Sequence, residues 1–187
     1  MATIWTIGHS TRPIGEFVEL LQAHGIRQLV DVRTVPRSRH NPQFSRENLP
    51  GSLQAAGIGY RHFPALGGLR HARADSINTG WRNASFRGYA DYMQTPQFDE
   101  AVGKLVGIAA ISPTAIMCAE AVPWRCHRSM IGDALLVRGV TVLDIMSVAH
   151  AKPHSLTPFA KVDGTGITYP GNNRDDVGNL NLELKLE

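Results

Sequence analysis

The chain has 187 residues, of which 43% are hydrophobic and 19% charged, and it carries a net charge of +3. That balance suits one globular domain with its own core and excludes wholesale disorder. No apolar run approaches the ~20 residues that span a bilayer, and the opening residues lack the basic and apolar regions of an export signal, so a cytoplasmic protein without a membrane partner is expected.

Residues 4–7 read as a first strand, ended by Gly8-His9-Ser10-Thr11. Pro13 then opens a helix with Phe17, Leu20 and Leu21 on one face and Gly25 as its stop. A second strand over 26–32 ends in Asp31-Val-Arg33 and runs into a polar loop over 34–45. Residues 46–56 read as a helix stopped at Gly57, and 58–63 alternate as a third strand. The stretch 69–85 has no periodicity, and a loop that long inside a compact domain tends to be functional or mobile. Helices over 86–93 and 96–111, a buried strand over 114–118, a helix over 126–138 and a fifth strand over 140–145 follow.

Strands alternating with helices predict a three-layer, Rossmann-like α/β domain over residues 1–150, with a mainly parallel sheet of about five strands. Right-handed crossovers make the first and fourth strands neighbours at a switch point, where ligands bind beyond the carboxyl ends of the strands. Residues 151–187 form a C-terminal extension, read as a hairpin turning at Asp163-Gly164 and then a flexible tail from Gly171.

Chemistry concentrates in Cys118, Glu120, Cys126, His127 and Arg128, spread over a strand end, a short loop and a helix start. A thiol near a helix N-terminus, a histidine and the arginines 125 and 128 has its pKa lowered, which makes a thiolate nucleophile of Cys118 or Cys126. Glu120 or His127 then serves as acid/base, with His9 at the end of the first strand as a further catalytic candidate. Ser10, Arg33, Arg125, Arg128, Trp81 and Arg82 are the candidate substrate contacts. Asp31 and Arg33 are also a natural ion pair, Trp81 and Arg82 natural loop anchors, and Cys118 a natural small core residue.

Two cysteines in a reducing compartment are expected to be unbridged. No cofactor is required; zinc or iron would suit the Cys/His/Glu set, although Cys-x-Glu-x5-Cys-His matches none of the usual zinc spacings. Of 19 basic residues only four are lysines. An arginine-rich genome accounts for the scattered arginines better than for the cluster at 33, 37 and 39.

Several separated motifs occur in order: Thr6-Ile-Gly-His-Ser10, Asp31-Val-Arg33 with Pro36-Arg-Ser38, Leu66-Gly-Gly68, Trp81 to Ala90, and Cys118-Ala-Glu120 with Cys126-His-Arg128. Together they resemble domain-of-unknown-function (DUF) family 488, over roughly residues 4–148. The segment Thr157-Pro-Phe-Ala-Lys-Val162 resembles an extension of some members. The resemblance implies a compact α/β fold of bacterial type and supplies no established activity.

The residues themselves point first to an enzyme acting on a phosphorylated or nucleotide-like substrate, a small anionic ligand. A nucleic-acid-binding module using loops 33–46 and 70–88 is the alternative from another class, and a metal or redox sensor through Cys118 and Cys126 is the third.

Overall fold

The computed structural model describes residues 2–171. Five strands run parallel: β1 (Thr3–Gly8), β2 (Gln28–Asp31), β3 (Gly59–His62), β4 (Thr114–Cys118) and β5 (Thr141–Ser147). A sixth, β6 (His150–Pro153), pairs antiparallel with β5, giving the order β3-β2-β4-β1-β5-β6. The fold is thus Rossmann-like α/β, with one strand more than the sequence suggests. The extra strand comes from the segment where the helix–strand alternation has ended.

The helices are α1 (Ile14–Ala23), α2 (Leu49–Ala55), α3 (Ala84–Tyr92), α4 (Pro96–Ile111) and α5 (Arg128–Leu136). The chain moves from β1 through β2 to β3 in one direction across the sheet and returns through β4 to β5 in the other. Right-handed crossovers therefore put α1 and α2 on one face and α3, α4 and α5 on the opposite face. The core divides accordingly. Phe17, Leu21 and Leu53 pack with Leu29, Ala115 and Met117 on one side. Tyr89, Phe98, Leu105 and Ile131 pack with Val30, Ile116 and Cys118 on the other. Neighbouring residues of β4 thus serve opposite layers, as the two-residue period of a strand requires.

Two helix starts differ from the sequence reading. α2 begins at Leu49 rather than 46, which leaves Pro50 in the first turn, where its missing N–H is harmless. The helix expected from Cys126 begins at Arg128 instead, because Pro123–Arg125 form a 3-10 turn and Cys126 is extended at φ −136 and ψ 145. α3 and α4 are capped by side chains: Asn83 accepts from the N–H of Ser85 at 2.8 Å, and Thr95 from that of Phe98 at 3.3 Å.

The stretch 69–85 contains neither helix nor strand until Ala84, and Asp91 pins it to α3. That carboxylate accepts from the backbone N–H of Arg73, the Ser76 hydroxyl and the Asn78 amide. In the extension, β7 (Lys161–Asp163) and β8 (Gly166–Thr168) form the expected hairpin, with Gly164 at φ 58 in its turn. Ile167 and Tyr169 bury their side chains against the α3–α5 layer. Gly171 donates its N–H to Thr79 Oγ1 at 3.0 Å, and the rest of the expected tail lies outside the described residues.

Candidate active site

β1 and β4 lie side by side in parallel, with Gly8 opposite Cys118. Beyond this point the His9 N–H donates to the Cys118 carbonyl at 3.0 Å and the Ser10 N–H to the Ala119 carbonyl at 2.9 Å. The two loops approach so closely at Gly8 that a Cβ there would run into the Glu120 carbonyl. Next to them, the Val32 N–H donates to the Met117 carbonyl at 3.0 Å. The loops after β1, β2 and β4 thus meet at the carboxyl ends of the strands, where a switch point is expected to place a ligand.

A cleft of about 450 Å³ opens there, and its lining includes Cys118, Glu120, Arg125, Cys126 and His127. Cys118 Sγ and Cys126 Sγ lie 2.6 Å apart, and Cys126 Sγ is 3.5 Å from His127 Nδ1. His127 Nε2 is 3.2 Å from the Val32 carbonyl. A carbonyl only accepts, so Nε2 carries the proton and Nδ1 turns a lone pair toward the sulfurs. Gly68 makes room for the ring, because a Cβ there would strike it.

The two thiols differ in character. The hydrogen bond from Cys126 holds the Cys118 thiol well below the usual range, against the opposing effect of burial. The same bond and burial raise that of Cys126. Of the two thiols Cys118 is the more acidic. Cys126 does not open the helix, yet its sulfur accepts the Arg128 N–H at 3.4 Å, so the first turn of α5 still faces it.

Cys118, Cys126 and His127 are also a set of three donors whose ligand atoms lie within 4.8 Å of one another. Two thiol sulfurs and an imidazole nitrogen are the donor types that suit zinc or iron.

The other candidate residues divide. Arg33 lines the cleft but its donors are committed: to both Asp31 carboxylate oxygens, to the Phe44 carbonyl at 2.8 Å and to His9 Nε2 at 3.3 Å. His9 is buried, stacked on Phe44, and burial lowers its pKa, so it is a neutral support for Arg33 behind the cleft. Ser10 turns the chain at φ 50, its N–H spent on Ala119. Arg128 is 1% exposed and points its guanidinium at the carbonyls of Glu120 and Ala121, at 3.3 and 3.4 Å, rather than into the cleft. Trp81 packs against Phe86, Phe159 and Tyr169 and lines a separate cavity of about 290 Å³ with Trp124, His154 and Asp144. Arg82 is exposed on the loop beside it.

Arg37 is a cleft residue that sequence reasoning left out of the site, although the cluster at 33, 37 and 39 was its signal. Neither Arg37 nor Arg125 forms a salt bridge among the described residues.

A family model described as "Domain of unknown function DUF488" matches residues 13–135, which is most of the chain. The chain belongs to the DUF488 family. The match runs from the start of α1 into α5 and so includes both cysteines, Glu120 and His127 of this DUF488 chain. No curated protein and no solved structure matches it. No helix of the described residues is long and apolar enough to cross a membrane.

Proposed function

We propose that this protein is an enzyme that uses Cys118 as a nucleophile on a small anionic substrate, of the phosphorylated or nucleotide-like class. The observation that carries this reading is the contact of Cys118 and Cys126, 2.6 Å apart, on the floor of a cleft edged by Arg37 and Arg125. A thiolate is a competent nucleophile at neutral pH. Two guanidinium groups that form no salt bridge among the described residues are the fork that binds phosphate or carboxylate oxygens. Glu120, exposed at the same rim, is placed to move a proton on the leaving group.

The nucleic-acid reading has less support. Arg70 stacks 3.6 Å over Tyr92, Arg73 pairs with Asp75, and Arg87 donates to the Trp81 carbonyl. Much of the arginine in loop 70–88 is therefore turned to partners within the chain.

The test is labelling of Cys118 by iodoacetamide with inorganic phosphate or adenosine monophosphate added, against sodium chloride at equal ionic strength. Both anions are expected to slow labelling of the wild type but not of an Arg37→Ala/Arg125→Ala variant. Labelling that ignores both anions in the wild type would remove the anion-binding cleft from the proposal.

A further inference from the structure

A nucleophile alone does not need a second sulfur in contact with it. Cys126 is buried and lines the same cleft, and beyond lowering the pKa of Cys118 its sulfur takes no part in an attack on carbon or phosphorus. It does have a use when the atom attacked is itself sulfur. A mixed disulfide at Cys118 leaves the Cys118 Sγ electrophilic, and the nearest nucleophile is then Cys126 Sγ, 2.6 Å away.

We infer that Cys118 and Cys126 form a dithiol–disulfide couple that reduces small anionic disulfides, with Cys126 as the resolving thiol. The inference rests on the Cys118 nucleophile proposed above and adds the reacting bond of the substrate. In the first step Cys118 Sγ attacks one sulfur of the substrate disulfide. A Cys118–sulfur bond forms, the substrate S–S bond breaks, and the departing thiolate takes a proton from solvent.

The Cys126 thiol has now lost Cys118 as its acceptor. His127 Nδ1, 3.5 Å from Cys126 Sγ and held with its lone pair inward by the Nε2 bond to Val32, takes the proton. The resulting thiolate is supported by the Arg128 N–H at 3.4 Å. It attacks Cys118 Sγ, the bond to the substrate sulfur breaks, and the second thiolate leaves with the proton held by His127. Two electrons pass from the dithiol to the substrate, which leaves as two thiols.

The geometry around the pair suits this sequence of events. Cys118 stands on a central strand and Cys126 on the extended residue between a 3-10 turn and α5, so closing the bond asks nothing of the sheet. Arg37 and Arg125 at the mouth favour a disulfide carrying phosphate or carboxylate groups over a neutral one.

The experiment treats the fully reduced chain with coenzyme A disulfide, a phosphorylated nucleotide disulfide, and separately with uncharged 2-hydroxyethyl disulfide, following intact mass and free thiols. The wild type is expected to lose both thiols and two hydrogen masses, with no adduct retained. Cys126→Ser and Cys126→Ala are each expected to stop with one coenzyme A attached at Cys118. Cys118→Ser should yield neither product. In the Arg37→Ala/Arg125→Ala variant the ratio of the rate with the anionic disulfide to the rate with the neutral one should fall about tenfold.

An adduct on Cys118 that persists in the wild type as long as in the Cys126 variants would overturn the resolving role while leaving the Cys118 nucleophile intact. No reaction at Cys118 in any form would remove both. Equal rates with both disulfides, in the wild type and the arginine variant alike, would overturn the anionic class.

Discussion

Cys126 Sγ accepts the backbone N–H of Arg128 at 3.4 Å while its thiol faces Cys118 Sγ at 2.6 Å. One sulfur thus joins the first turn of a helix to the end of a strand on which the second sulfur stands. The acidity of Cys118 is a property of this pair, since its strongest support is the hydrogen bond from Cys126.

The pH dependence of Cys118 labelling follows from that support. The Cys118 thiol is held below its ordinary range, so iodoacetamide should modify it at a rate that has already levelled off at neutral pH. Cys126→Ala removes the donor and should move the midpoint of the profile upward. An identical midpoint in the two proteins would show that Cys126 does not set the acidity of Cys118.

A second titration belongs to the C-terminal extension. His154 lies between Asp133 and Asp144, at 3.2 and 3.0 Å, with its side chain nearly buried. Burial acts against its charge, but the two carboxylates prevail and raise its pKa to about 9. A raised histidine contributes stability that is complete below its unfolded value near 6.5 and is lost as pH rises through about 9. The contribution is about 3 kcal/mol. Thermal unfolding followed between these limits should show Tm falling in the wild type and a flatter profile in His154→Gln.

Close approach at the cleft supplies a third expectation. Gly8 has no room for a Cβ against the Glu120 carbonyl, which is backbone and does not yield as a side-chain tip does. Gly8→Ala should push the 119–121 loop away from β1, cost about 1–3 kcal/mol in chemical denaturation, and slow Cys118 labelling. Gly103→Ala, on α4 with open space around it, is the control and should leave both measurements unchanged or slightly improved.

Much of this fold is legible in the chain. The alternation of short apolar runs with helical patterns marks five strands because each is buried on a sheet covered by helices, and Pro96 and Gly139 punctuate as they should. The sequence also brings Cys118, Cys126 and His127 into one segment. α5 starts two residues later than the helical pattern suggests because Pro123 closes a 3-10 turn first, and a local turn outranks helical periodicity there. Arg128 reads as an anion ligand, since arginines rarely hide, yet a guanidinium is what satisfies two inward-facing loop carbonyls. Asp133, Asp144 and His154 carry no spacing signal at all; only the crossing of α5, β5 and the extension makes them neighbours.

The place of β4 in the sheet has a consequence for motion. It is bonded along both edges, to β1 and to β2, and every residue in it is buried. Its amides open only when the whole domain does, so Met117 and Cys118 belong among the slowest to exchange with deuterated solvent. Cys126 hangs instead on irregular backbone between a short turn and a helix. Any change in the separation of the two sulfurs is therefore a displacement of the 119–127 segment against a fixed anchor, and exchange in that segment is where ligand binding or oxidation will register.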